Sequence, residues 1–140
     1  PRQDYKGAYI AVLHKILDRL GSGEKPVVYG DGSQKYDFVA VEDVARANLC
    51  ALQSDASHQN YNVGRGIGTS IKELTELLIK LSGVDSEIQY EPAGQTFVTN
   101  RIGCPLKAEK EIDFKWEIDL EDGMKRLVEW RNTHTQFLQG

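Results

Sequence analysis

The sequence predicts an α/β fold, and three observations carry that expectation. Helix-like segments with apolar residues three and four apart alternate with short β-prone runs along the 140 residues, a pattern of helices layered on strands. Hydrophobic residues make up 40% of the chain, enough for one core over residues 1–140 and not two. No internal repeat or low-complexity segment interrupts the order.

Tyr9, Val12, Leu13, Ile16, Leu17 and Leu20 fall on one face of a first helix, which Gly21-Ser22-Gly23 ends. Pro26-Val27-Val28-Tyr29 and Tyr36 to Val41 then read as two strands around Gly30-Asp31-Gly32. That spacing predicts a tight reversal, because glycine takes positive φ without steric cost. A second helix carries Val41, Val44, Ala45, Asn48, Leu49 and Leu52 on one face. Glu42 and Asp43 lie in its first turn, where the helix dipole favours carboxylates. Gln59 to Val63 reads as a short strand, and Ser70-Ile71-Lys72-Glu73 as a capping box opening a third helix that ends at Ser82-Gly83. Ile88-Gln89-Tyr90 is a further strand. Pro105 suits the first turn of a short helix to Ile112, and a last helix begins after Asp119.

Composition removes several function classes. Seventeen basic against 21 acidic residues give a net charge of −4, the wrong balance for nonspecific nucleic-acid binding. Charges break every apolar run before it could span a membrane. Cys50 and Cys104 are too few for a disulfide framework, and His14, His58 and His134 share no metal-ligand spacing. The expected setting is soluble, reducing and cytoplasmic. The chain opens Pro1-Arg2-Gln3, and Met124 is its one methionine, so the expectation is either a removed leader or a piece of something longer.

No acid/base pair, nucleophile or metal cluster emerges. Gly64-Arg65-Gly66-Ile67-Gly68 could bring backbone N–H groups to a phosphate. The pattern is GxGxG rather than GxGxxG, however, and it follows a short polar segment; a tight turn before a helix is the expected reading. The Tyr29–Phe38 loop gathers two tyrosines, Gln34 and Lys35 around glycines, and suits either a planar base and diphosphate or a solvated tip. His14 reads as a helix-flank residue, Cys50 as a small buried hydrophobe, and Trp116 and Trp130 as packing. Arg101, in an extended segment, suits either an ordinary surface arginine, the commoner outcome, or a fork onto a phosphate.

Four motifs in order resemble one family. Pro1-Arg2-Gln3 looks like the end of YGPRQ. Val28 to Ala47 resembles YGDGxQxRDFxxVxDVAxA, and Tyr61 to Leu74 resembles YNVGxGxxxSxxEL. Leu120 to Trp130 resembles LEEGLxxxVEW. On these the chain is identified as resembling the extended short-chain dehydrogenase/reductases, the NAD-dependent nucleotide-sugar epimerases and dehydratases typified by UDP-glucose 4-epimerase. The resemblance implies a small mixed α/β substrate-binding subdomain, the C-terminal part, with the Rossmann half absent from this chain. Its glycine fingerprint and Tyr-x-x-x-Lys would lie upstream; no tyrosine here has lysine four residues on.

The resemblance further implies that the parent enzyme binds NAD through that other half, removes hydride from sugar C4, lets the keto intermediate rotate and returns the hydride. The chain alone is expected to be inactive, and the parent a homodimer with a nucleotide-sugar substrate. A 4,6-dehydratase, a decarboxylase and a noncatalytic nucleotide-sugar-binding domain stay open. By position, Tyr29 would lie near the base and Asn62 near the nucleotide's polar groups. The family arginine of QxRD is Tyr36 here, and Thr99 stands where a second arginine is usual. Arg101, two residues on, is expected as the substitute clamp. Asp113 replaces a glycine, a choice its tolerance of left-handed backbone allows. Helices one and two are expected to expose apolar faces.

Overall fold

The computed structural model describes residues 11–93 and 99–134. In order the elements are α1 (Val12–Gly21), β1 (Val27–Tyr29), β2 (Lys35–Tyr36), α2 (Val41–Gln53), β3 (Thr69–Ser70), α3 (Ile71–Ser82), β4 (Gln89–Glu91), β5 (Asn100–Arg101), α4 (Leu106–Ile112) and α5 (Leu120–Thr133). They form two compact units, the first from residues 11–33, 70–93 and 124–134, the second from 34–69 and 99–123.

In the first unit α1 packs on α3. The α1 spacing buries Ile16, Leu17 and Leu20, and α3 buries Leu74 and Leu78. The capping box forms as expected: Glu73 N donates to Ser70 Oγ at 3.1 Å and Ser70 N donates to Glu73 Oε2 at 2.8 Å. Gly83, at φ +67°, ends α3 in the left-handed conformation. His14 is not a flank residue. It is 2% exposed, with Nδ1 3.2 Å from Arg131 Nη1, and Arg131 also pairs with Asp18.

In the second unit α2 packs on α4. Ala47, Ala108, Ile112 and Phe114 form the core, with Cys50, Ala51, Tyr61, Val63 and Trp116 packed against it. Cys50 is only half-buried. Asp113 closes α4 at φ +52°, as its place in the sequence predicts. Helix α2 leaves Val41, Val44, Leu49 and Leu52 exposed, whereas α1 turns its apolar face inward; the expectation of exposed faces holds for α2 and fails for α1.

The strands correct the sequence reading. Gly30 and Gly32 do turn the chain at φ +72° and +73°, but β1 and β2 are not a hairpin. β1 pairs in parallel with β4, Val28 opposite Tyr90, and β2 pairs in parallel with β5 in a sheet of order β3-β2-β5. A parallel partner needs a long crossover, and here α2 and α3 lie between the paired strands in sequence. Gln59–Val63 forms no strand. The expected mixed subdomain with the Rossmann half absent is corrected on the same ground: parallel strands joined through helices, the Rossmann type of topology, are present in this chain. Two-residue strands carry too little periodicity to reveal their direction.

Candidate functional site

The β2–β5 pair positions the residues singled out by the sequence. In parallel register Tyr36 stands opposite Arg101, and Lys35 opposite Asn100. Because successive side chains alternate between faces, Tyr36 and Arg101 share one face and Lys35 and Asn100 the other. Two backbone bonds hold the register: Lys35 N donates to Thr99 O at 2.9 Å, and Asp37 N donates to Arg101 O at 3.0 Å. Arg101 is exposed, and its guanidinium has no hydrogen bond or ion pair among the described residues. The Tyr36 ring lies 6.3 Å from that of Phe38, tilted by 53°. An arginine that shares a sheet face with a tyrosine can receive a phosphate and a planar base together.

Asp37 ties this pair to the glycine turn. Its carboxylate accepts from Arg65 N at 3.0 Å and from Gly66 N at 2.9 Å. A Cβ on Gly64 would stand 2.5 Å from Asp37 Oδ2, so glycine there is what lets the carboxylate approach. Gly66 sits at φ +71°. The turn thus has the shape of an anion-binding nest, and the chain's own carboxylate fills it. A dinucleotide pyrophosphate does not fit: the amides that would hold it are already bonded. The reading of Gly64–Gly68 as a tight turn agrees with this geometry.

Asn62 is exposed, its Cβ 3.8 Å from where a Cβ on Gly103 would lie; that same position is 3.8 Å from Asp37 Oδ2. Tyr36, Asn62 and Arg101 are therefore neighbours around Asp37. Tyr29 ends β1 in the first unit and is 62% exposed. An open groove of about 760 Å³ between Cys50, Asp55, Lys110 and Asp113 is lined by none of the four.

Sequence reasoning missed Asp37 and Asp43. Asp43 is 1% exposed and does more than face a helix dipole. Its carboxylate accepts from Glu117 N at 3.0 Å, Ile118 N at 3.1 Å and Arg46 Nη2 at 2.7 Å. Burial works to raise its pKa. The Arg46 hydrogen bond and the Ile118 and Glu117 amides outweigh that, holding it below the ordinary aspartate range. Arg46 also reaches Lys115 O and Glu117 Oε1, and lies 5.5 Å over the Phe114 ring. The available signal was the pair of aspartates six residues apart, flanking the apolar run Phe38 to Val41. Among the described residues no cluster could hold a metal ion, and no helix is long and apolar enough to cross a membrane.

Residues 1–64 match the model of the NAD dependent epimerase/dehydratase family. A Methanocaldococcus jannaschii protein named for UDP-glucose 4-epimerase activity is 36% identical over 135 residues, 96% of this chain and 43% of its own length. The chain belongs to the NAD-dependent nucleotide-sugar epimerase/dehydratase family. A mouse dTDP-D-glucose 4,6-dehydratase is 30% identical over 88% of this chain and 37% of its own. The Thermotoga maritima UDP-glucose 4-epimerase, crystallised with UDP-glucose, superposes with a TM-score of 0.86 at 35% identity, over 95% of this chain and 43% of that one. The family match thus runs along essentially the whole chain. This corrects the narrower expectation of a mere C-terminal substrate-binding part lacking the Rossmann half. The chain spans less than half the length of these relatives. Family members include NAD-bound enzymes, among them a Thermus thermophilus UDP-glucose 4-epimerase 26% identical to this chain.

Proposed function

We propose that this chain binds a nucleotide-sugar for an NAD-dependent 4-epimerase, with Arg101 gripping the diphosphate and Tyr36 and Asn62 meeting the rest of the nucleotide. The observation that carries this reading is the register of Tyr36 against Arg101 on one sheet face. It puts an unpaired guanidinium where the strand itself lacks one. Resemblance to UDP-glucose 4-epimerases supports the substrate class.

The chain contributes binding and orientation. Its sequence holds no Tyr-x-x-x-Lys and no GxGxxG, and its glycine turn is occupied by Asp37. NAD binding and hydride chemistry then rest on groups supplied from outside these 140 residues, and the isolated chain is inactive. The active enzyme works in the cytoplasm as a homodimer. Calorimetric titration with UDP-glucose tests the reading. Arg101→Ala removes a charge-assisted contact of about 1.5–3 kcal/mol, a loss of roughly tenfold to a hundredfold in affinity. Unchanged affinity would sink the assignment. Interconversion of UDP-glucose and UDP-galactose by the purified chain would sink the claim of inactivity.

A further inference from the structure

We infer that Asp37 is a positioning residue that assembles the nucleotide-sugar site from three separate segments, an inference that rests on the function proposed above. Each segment carries one binding residue: β2 carries Tyr36, the loop before the glycine turn carries Asn62, and β5 carries Arg101. Asp37 is bonded to all three. It follows Tyr36 in the chain, and its backbone N–H donates to Arg101 O at 3.0 Å. Its two carboxylate oxygens accept from Arg65 N and Gly66 N, three and four residues past Asn62. Gly103, two residues past Arg101, lies against the same carboxylate and against Asn62.

Both oxygens of the Asp37 carboxylate are engaged by the Arg65 and Gly66 amides. It therefore acts on the ligand through the segments it joins and does not touch it. Two features mark this joint as constructed for a carboxylate. Gly64 is empty where any Cβ would meet Oδ2 at 2.5 Å. Gly66 holds a left-handed φ of +71°, which aims two successive amides at one anion. The two bonds, at 3.0 and 2.9 Å, fix successive amides of the turn to one side chain. Fixing Asn62 and Arg101 before the ligand arrives spares binding the cost of ordering them.

Asp37→Asn tests this in the 140-residue chain, with UDP as the probe. The amide keeps one acceptor and sets an NH2 group against the other backbone N–H. UDP affinity should fall by about tenfold, the effect of a charge-assisted bond exchanged for a clash. Positioning also predicts coupling: in the Asp37→Asn/Arg101→Ala double variant, UDP should bind no more than about twofold more weakly than to Arg101→Ala alone. Gly64→Ala attacks the same joint from the opposite side, and should weaken UDP binding without changing the Asp37 side chain. Melting curves report whether either variant stays folded.

Full affinity in both Asp37→Asn and Gly64→Ala, or losses from Asp37→Asn and Arg101→Ala that simply add, would overturn the inference while leaving Arg101 as a ligand. Equal UDP affinity in Arg101→Ala and the unsubstituted chain would overturn the parent reading, and this one with it.

Discussion

Replacing Asp43 by alanine should be among the most damaging single changes in this chain, and the structure sets the size of the effect. The carboxylate is 1% exposed and is the acceptor for three donors: the amides of Glu117 and Ile118, and Arg46. Removing it leaves two backbone donors open, each costing about 1–3 kcal/mol where water cannot replace the acceptor. Arg46 is better placed, because its side chain is 29% exposed and keeps Glu117 and Lys115 O as partners. The sum is about 2–6 kcal/mol, centred on the roughly 3–5 kcal/mol for breaking a buried pair from one side. For a chain this long, that lowers the melting temperature by roughly 10 °C or more. Asp43→Asn, which keeps one acceptor, should lose about half as much. Circular dichroism melts of the two variants beside the parent read this directly. An alanine variant melting within about 2 °C of the parent would refute the argument that this carboxylate holds the 117–118 segment onto α2.

The same site fixes a pH dependence. Asp43 has a native pKa below its unfolded one, so its contribution is present above the ordinary aspartate value of about 3.9 and is lost as pH falls through the native value. The stability gap between the parent and Asp43→Asn should close in that acid range.

Three further outcomes follow from particular residues. Gly32→Ala should destabilise the chain by about 2–3 kcal/mol in denaturant melts, since Gly32 sits at φ +73° and a Cβ would meet Val28 Cγ1 at 2.8 Å and Lys72 Cβ at 3.0 Å. Asp113→Gly should stabilise it by about 0.5–1 kcal/mol, because Asp113 is exposed, holds φ +52°, and glycine carries no penalty there; a loss of stability would show that the aspartate side chain contributes something else. His14 has its pKa lowered, first by burial and then by Arg131, against a smaller opposing pull from Asp18. The folded state favours neutral imidazole, so stability should decline as pH falls below about 6.5. A His14→Gln variant should show a flatter curve between pH 4.5 and 6.5, and identical curves would count against the buried histidine as the cause.

Much of this molecule was legible in one dimension. The apolar spacing of α1, the Ser70–Glu73 capping box, the glycine stop at Gly83 and the left-handed Asp113 were all predicted and all observed. Each depends on contacts within a turn or two of helix, where neighbours in sequence are neighbours in space. The ordered motifs pointed to the family for a different reason: within the described residues they include turn and helix-start positions that the fold requires, as Gly30, Gly32 and Gly66 show by their positive φ angles. The net charge and the lack of metal-ligand spacing were equally readable from composition.

Only the tertiary structure decided the strand partners and the meaning of two aspartates. β1 and β2 looked like a hairpin because a glycine-rich turn joins them; each instead pairs with a strand about 60 residues away, and nothing local announces a partner at that distance. The juxtaposition of Tyr36 with Arg101 is a product of that parallel register. Asp43 looked like a first-turn carboxylate favoured by a helix dipole, and Asp37 like one letter of a motif. Apart from Arg46 beside Asp43, their partners are backbone amides at positions 65, 66, 117 and 118. An amide N–H is carried by every residue but proline, so a carboxylate that binds backbone leaves no partner type to find in the sequence. Burial and geometry alone reveal it.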